Sequence, residues 1–325
     1  MEQKKEKKQL SFTYLWSKYS TLFILVLIVI VFGTLSGSTF LTGRNLITIT
    51  EQSAIYILLA CGEFFAILLG GIDLSVGSIM ALTGVISAQL MVGGIHPVFA
   101  VLIGIVLAGL VLGAVNGSLI NLTGLPPFII TLGTQSIVRG ITYIISDARA
   151  VAGIPNGFQT AIGGKILGII PIPVIIALVV ATILIIFTTR MKAGRNLYAL
   201  GGNPRSAFFA GITVHRHQLL AFMISGLCAG LAGMVNVARL GAAEPNAGMG
   251  FDTFAIAAVI IGGTSFFGGQ GDIYKVVIGG LIIGAINNGL NMMGLSAYYQ
   301  QIAMGALIIV AVTLDRFFGA SRKNA

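Results

Sequence analysis

Two carboxylates occur within an apolar, glycine-rich stretch, CGEFFAILLGGIDLSVGS, as Glu63 and Asp73. A charge at membrane depth costs about 2.5–3.5 kcal/mol on insertion scales, so it needs a structural or functional reason. Gly70 and Gly71 interrupt the helical pattern, and Asp73 precedes Ser75. This order predicts a discontinuous helix, with an unwound Gly-Gly followed by a new helix that Asp or Ser caps.

Two roles compete for each carboxylate. Asp73 could accept hydrogen bonds from a hydroxylated substrate, or it could cap the second helix segment, and its expected position near the inner membrane surface favours capping. Glu63 lies within the helix, where a buried structural hydrogen bond competes with substrate contact.

Neutral polar side chains recur along the other apolar runs. Amides and hydroxyls in membrane helices either join neighbouring helices or line a pathway, and both roles stay open for each residue. As a set they suit an uncharged polyol better than an ion, and no regular series of Asp, Glu and His is present. The candidates for a substrate pathway are Glu63, Asp73, Ser75, Asn116, Gln135, Asn236, Asn287, Asn288 and Asn291.

A basic segment, residues 190–216, separates two long apolar runs. It carries five Lys and Arg residues, no acid, and aromatic residues that include Tyr198 and Phe208. A solvated connection would not need those aromatics. The composition therefore predicts a short amphipathic helix that docks on another protein.

Several kinds of chemistry find no matching pattern. The sequence contains no Gly-x-x-x-x-Gly-Lys-Ser/Thr phosphate loop, so we expect no ATPase activity in this chain. His96, His215 and His217 form no plausible metal or catalytic set, and Cys61 and Cys228 lie in apolar runs as small buried residues. We predict no catalytic site, no metal site, no cofactor bound by this chain and no nucleic-acid partner.

Composition places the chain in a lipid bilayer. Of its 325 residues, 56% are hydrophobic and 9% are charged, whereas soluble domains carry about 25% charged residues. Since a spanning helix needs about 20 apolar residues, the sequence predicts an all-α polytopic membrane protein with about ten transmembrane helices, plausibly in two halves of five. The segments are 20–36, 49–69, 74–92, 97–121, 127–146, 172–189, 217–240, 252–266, 274–293 and 297–314.

The distribution of positive charge predicts the orientation. With both termini in the cytoplasm, fourteen of the 19 Lys and Arg residues lie on the inner side, as the positive-inside rule favours. The domain plan is then a basic cytoplasmic tail (1–19), a transmembrane domain (20–314) that includes the cytoplasmic segment 190–216, and a cytoplasmic C-terminal tail (315–325).

Five segments together resemble one transporter family. They are FLTGRNLITI (40–49), LLGGIDLSVGSIMALTG (68–84), GLPPFIITLGTQSIVRG (124–140), GRNLYALGGNPRSAFFAGI (194–212) and IGGTSFFGGQGD (261–272). In this order they resemble the permease subunits of ATP-binding-cassette (ABC) importers for ribose, xylose, arabinose and methylgalactoside. The related branched-chain amino acid permeases share the general plan, but GIDLSVG and the form of 194–212 are closer to the sugar group.

The resemblance implies an importer subunit in the bacterial inner membrane. It implies a second permease copy or sister permease, a cytoplasmic ATPase that uses ATP and magnesium, and an extracytoplasmic sugar-binding protein. It also implies an ATPase-coupling loop, in which Arg195 and Arg205 would pair with acids while Tyr198 and Phe208 supply apolar anchors. The loop residues are Gly194, Arg195, Tyr198, Gly201, Gly202, Asn203, Arg205, Phe208 and Gly211.

Other transport functions stay open. A related ABC permease could import an autoinducer-like furanosyl compound or a nucleoside, and the binding protein encoded nearby would discriminate this case. A secondary transporter driven by an ion gradient would need neither an ATPase nor the 194–212 loop. A membrane scaffold without transport is a further alternative.

Overall fold

The computed structural model describes residues 12–36 and 39–323 and is helical almost throughout. The helices are α1 Phe12–Leu35, α2 Gly43–Leu68, α3 Val76–Val92, α4 Pro97–Gly104, α5 Val111–Thr123, α6 Pro127–Ser146, α7 Asn156–Gly163, α8 Ile172–Arg190, α9 Lys192–Gly202, α10 Pro204–Phe209, α11 Val214–Leu240, α12 Phe251–Ile261, α13 Ile273–Met292 and α14 Ala297–Lys323. A π-helical segment, Ile105–Leu110, joins α4 to α5. Two short antiparallel strands, β1 Lys165–Ile166 and β2 Ile170–Pro171, precede α8.

The all-α polytopic membrane class is confirmed. Six helices are long and apolar enough to cross a membrane: α2, the continuous α4–α5 helix, α6, α8, α11 and α13. Four shorter apolar helices lie within α1, α3, α12 and α14. Together these ten correspond one to one with the predicted segments, while the number of crossings and the side of each terminus stay predictions.

The cytoplasmic location of the two predicted tails stays a prediction, and the structure describes only part of each. Residues 1–11 of the predicted basic tail lie outside the described part of the chain, and α1 already begins at Phe12. At the other end, α14 continues through Lys323, so most of the predicted tail 315–325 extends the last helix. Helices commonly continue beyond the apolar stretch because their backbone hydrogen bonds are independent of the surroundings.

The long helices α2 and α11 form the centre of the bundle. Most of the apolar stretch of each is buried inside the protein, whereas α6 and α8 are mostly uncovered. Small residues permit the close approach of α2 and α11: a Cβ atom on Gly62 would lie 2.9 Å from the Ser225 carbonyl oxygen. Close packing at small residues is the main way that helices associate in lipid.

A non-helical segment, residues 241–250, returns the chain from α11 into the bundle before α12 begins. Gly248 and Gly250 adopt left-handed conformations that favour glycine. A Cβ on Gly77 would lie 2.2 Å from the Gly248 carbonyl oxygen, so the segment contacts the first turn of α3 backbone to backbone. The returning segment explains why α12 has only 11 residues.

Candidate functional site

The predicted helix break lies between α2 and α3. Helix α2 ends at Leu68, Gly70 has a φ of 75°, and α3 begins at Val76. The side chain of Ser75, at the N-cap position, makes no capping bond to α3. Instead, Asp73 Oδ1 accepts the Ser75 backbone N–H at 3.0 Å, so the carboxylate stabilises the turn that leads into the helix.

Asp73 is completely buried, and both oxygens of its side chain accept hydrogen bonds. Besides the Ser75 backbone, Oδ1 accepts the Ser75 hydroxyl, and Oδ2 accepts the Ser225 hydroxyl of α11 at 2.7 Å. Asn116 of α5 in turn donates to Ser75 Oγ at 2.8 Å. Buried charge of this kind persists when hydrogen bonds replace the lost water.

Glu63 is less well satisfied. Its Oε1 accepts the Asp73 backbone N–H at 3.0 Å, and its Oε2 is buried with no hydrogen-bond partner among the described residues. We call Glu63, Asp73, Ser75, Asn116 and Ser225 the acid cluster. It joins α2, the helix break, α5 and α11, and the pathway role of Asp73 stays a prediction.

The basic segment folds into two short helices, α9 and α10, and α9 packs against the permease itself. A Cβ on Gly201 would lie 1.8 Å from the Leu68 carbonyl oxygen, at the end of α2. A Cβ on Gly194 would lie 2.2 Å from the Phe187 carbonyl oxygen. These glycines let the backbone of α9 touch the backbone of the membrane helices.

Tyr198 holds the same helix from its other side. Its hydroxyl donates to the Gly271 carbonyl at 2.9 Å, and its ring centroid lies 6.3 Å from that of Phe64. Burial, followed by the charge of Asp272, raises the pKa of Tyr198 to about 12. The side chain of Tyr198 is thus half-buried against this chain, and its implied role as an apolar anchor for a partner stays a prediction.

Helix α10 is exposed. Phe208 and Phe209 are 64% and 76% exposed, and their rings contact each other at 5.8 Å between centroids. Asn203 caps the helix by accepting the Ser206 N–H at 2.9 Å, and Gly211, with a φ of 80°, ends the turn.

Beside α10 lies a groove of about 240 Å³, lined by residues 211–215 together with Phe208. Asn121 of α5 donates to the His215 carbonyl at 2.9 Å and so fixes one wall of the groove to the bundle. Arg205 lies exposed on α10 and Arg195 on α9. An apolar pair, a groove and free positive charge on one surface can bind an amphipathic partner.

A second helix break meets the first beneath α9. The segment 262–272, between α12 and α13, contains the glycine motif that echoes the α2–α3 break in sequence. Its Gly269 N–H donates to the Leu68 carbonyl at 2.8 Å, and Gly202 packs against Gly269. Helix α9 thus rests on both breaks at once.

The remaining pathway candidates separate into two groups. Asn288 exchanges two 3.0 Å hydrogen bonds with Asn45 of α2, and Asn291 accepts from Gln300 of α14. These two asparagines join helices. Gln135, Asn236 and Asn287 make no side-chain hydrogen bond to the described residues, although Asn287 is buried.

Sequence reasoning missed one contributor to this site. Ser225 binds Asp73 from a Gly- and Ala-rich part of α11, where a serine carries no distinguishing signal. Thr131 of α6, which the sequence marks only as one of the polar residues of the apolar runs, accepts the Leu74 N–H and donates to the Ile72 carbonyl, each at 3.1 Å. Thr131 thus holds the break from the other side.

Comparisons with known proteins agree along the chain. Residues 45–312 match the family model described as the branched-chain amino acid transport system / permease component. The chain is 59% identical over 311 residues to the D-allose transport system permease protein of Escherichia coli K12, covering 96% of this chain and 95% of that protein.

Two further relatives are more distant. The ribose import permease of Bacillus subtilis 168 is 41% identical over 96% of each chain. The galactose/methyl galactoside import permease of Salmonella typhimurium LT2 is 33% identical over 95% of this chain and 97% of that protein. No solved structure matches the chain. The chain therefore belongs to this family of membrane permease components, which are transport subunits of the bacterial inner membrane.

Proposed function

We propose that this chain is the permease subunit of an ABC importer for a neutral monosaccharide, with D-allose as the first substrate to test. The observation that carries the proposal is the 59% identity, over nearly the full length of both chains, to a D-allose permease. Relatives named for ribose and for galactose support the monosaccharide class. No relative cited here favours a furanosyl signal, a nucleoside or an ion-driven mechanism.

We propose that α9 and α10 form the ATPase-coupling loop and face the cytoplasm. The excess of positive charge in 190–216 supports the orientation. The exposed Phe208 and Phe209, beside a groove and Arg205, support docking of an amphipathic ATPase surface. The partner ATPase would use ATP and magnesium. A second permease and an extracytoplasmic binding protein would complete the importer.

The contacts of α9 suggest how the loop would transmit movement. Tyr198 touches Phe64, and the next residue, Glu63, is bonded to the Asp73 backbone. Displacement of α9 would therefore reach the acid cluster through one ring contact and the backbone of α2. Closely packed elements transmit small shifts because they do not deform continuously.

Reconstitution in proteoliposomes tests the function. The chain would be combined with the ATPase and binding protein encoded next to it, and uptake of labelled D-allose, ribose and galactose measured with and without ATP. We expect uptake that needs all three components and is fastest for D-allose. Uptake by this chain alone, driven by a proton or sodium gradient, would overturn the proposal.

A further inference from the structure

Helix α6 carries polar side chains at every fourth position. Thr131, Gln135, Arg139 and Tyr143 form a row that winds gradually around the helix, since residues four apart are neighbours on its surface but are rotated by about 40° at each step. At a rise of 1.5 Å per residue the row extends about 18 Å, over half of the hydrocarbon thickness. We call these four residues the α6 ladder.

Both ends of the ladder bind segments that interrupt membrane helices. At one end Thr131 holds the α2–α3 break through Ile72 and Leu74. At the other, Arg139 donates to the carbonyls of Pro245 and Ala247, the latter at 2.9 Å.

Tyr143 adds a bond of 2.7 Å from its hydroxyl to Asn246 Oδ1. The returning segment 241–250 is thus bound to α6 by hydrogen bonds of two side chains. In contrast, its contact with α3 is a fixed glycine-to-glycine approach.

Gln135 lies between these ends and differs from the other members. Its side chain is half-buried and makes no hydrogen bond to any residue that the structure describes. An amide at membrane depth needs a polar partner, and lipid supplies none. Two residues further along, about 200° around the helix, Ile137 is 64% exposed on the apolar face.

We propose that the α6 ladder lines the sugar pathway and that the Gln135 amide binds the sugar hydroxyls there. The amide offers two donors and one acceptor without charge, which matches a neutral polyol. Arg139 and Tyr143 hold the segment 241–250 across the end of the path, as positioning residues. This inference rests on the proposed function, because it assumes that a monosaccharide is transported.

Paired truncations test the assignment in the reconstituted importer. Gln135→Ala is expected to lower D-allose uptake about tenfold or more, the ratio for one lost hydrogen-bonding group. It is also expected to change the ratio of D-allose to ribose uptake. Ile137→Ala should transport as the wild type does, and Gln135→Asn should recover part of the rate.

Thermal unfolding separates a pathway role from a structural one. The Tm of Gln135→Ala should stay within error of that of the wild type. Wild-type uptake by Gln135→Ala, or a loss explained by a lower Tm, would overturn the assignment. Absence of uptake by the wild-type complex contradicts the proposed function instead, so the two failures are distinguishable.

Thiol labelling gives a readout that does not depend on transport rate. Cys61 and Cys228 are 0% and 1% exposed, so the native thiols leave a low background. A water-soluble maleimide should label Gln135→Cys faster than Ile137→Cys, and D-allose with the binding protein and ATPase should slow that labelling. Equal labelling of the two variants would contradict a water-filled path along the ladder.

Discussion

The two helices of the basic segment are neighbours in sequence and opposites in packing. Helix α9 is built into the permease, with Leu197 and Leu200 buried and Gly201 pressed against the end of α2. Helix α10 presents two exposed phenylalanines. One half thus belongs to the fold and the other is available to a partner, which is the arrangement that a mechanical coupling between two proteins requires.

The substitution with the largest expected effect is at Gly201, which packs α9 against the end of α2. In Gly201→Ala the new methyl group would overlap the Leu68 carbonyl, so α9 must move away from both helix breaks. Overpacking costs about 1–3 kcal/mol, and we expect a lower Tm and a loss of ATP-dependent uptake. Gly202→Ala is the matched control, because a Cβ there meets nothing within 4 Å. Equal Tm values for the two variants would contradict the close contact.

Removing the exposed aromatic pair of α10 should disrupt its binding to a partner. Phe208→Ser combined with Phe209→Ser is expected to weaken binding of the ATPase at least 30-fold, as for an interface hot spot of about 2 kcal/mol. The Tm of the isolated permease should not fall. Leu167→Ser, at a residue that is 89% exposed on the β1–β2 turn, controls for the loss of surface apolar area. Binding measured by co-purification that survives the double change would exclude α10 from the interface.

The acid cluster beneath α9 permits a sharper test. Asp73→Asn replaces a carboxylate that accepts three hydrogen bonds, so one hydroxyl must reorient and the charge is lost. We expect the free energy of unfolding to fall by about 1–2 kcal/mol. Glu63→Gln retains the acceptor for the Asp73 N–H and places an amide where the Oε2 atom already lacks a partner, so it should lower the free energy of unfolding less than Asp73→Asn does. Denaturation of the purified variants in detergent compares the two, and a larger loss for Glu63→Gln would reverse their assigned roles.

The smallest effect is expected at Tyr198. Tyr198→Phe removes the hydrogen bond to the Gly271 carbonyl and retains the ring against Phe64. We expect the free energy of unfolding to fall by about 0.5–1.5 kcal/mol. Because the pKa of Tyr198 is raised to about 12, the hydroxyl stays protonated below that pH. The loss of stability should therefore be constant between about pH 6 and pH 9. A loss that varies across this range would assign the effect to another group.

The sequence predicted the helices well and the contacts poorly, for a physical reason. Apolar length and the Gly70-Gly71 interruption specify where membrane helices run and break, because lipid forces backbone hydrogen bonds to close locally. Whether Asn288 pairs with Asn45 or Gln135 stays unpaired depends on how helices distant in sequence are rotated against one another. Tyr198 shows the same limit, since an aromatic in an amphipathic segment suits a partner surface and an internal contact equally.

The packing of α9 against both helix breaks also constrains the order in which the protein folds during synthesis. Leu68, Gly201 and Gly269 meet at one point, yet they are separated by more than half of the chain. During synthesis α9 and α10 leave the ribosome well before Gly269. The surface against which α9 packs is therefore incomplete until the second helix break has formed. In the proposed orientation, an unfinished permease would therefore expose an undocked basic segment to cytoplasmic proteases, and its protection from proteolysis would report that the C-terminal quarter has been inserted.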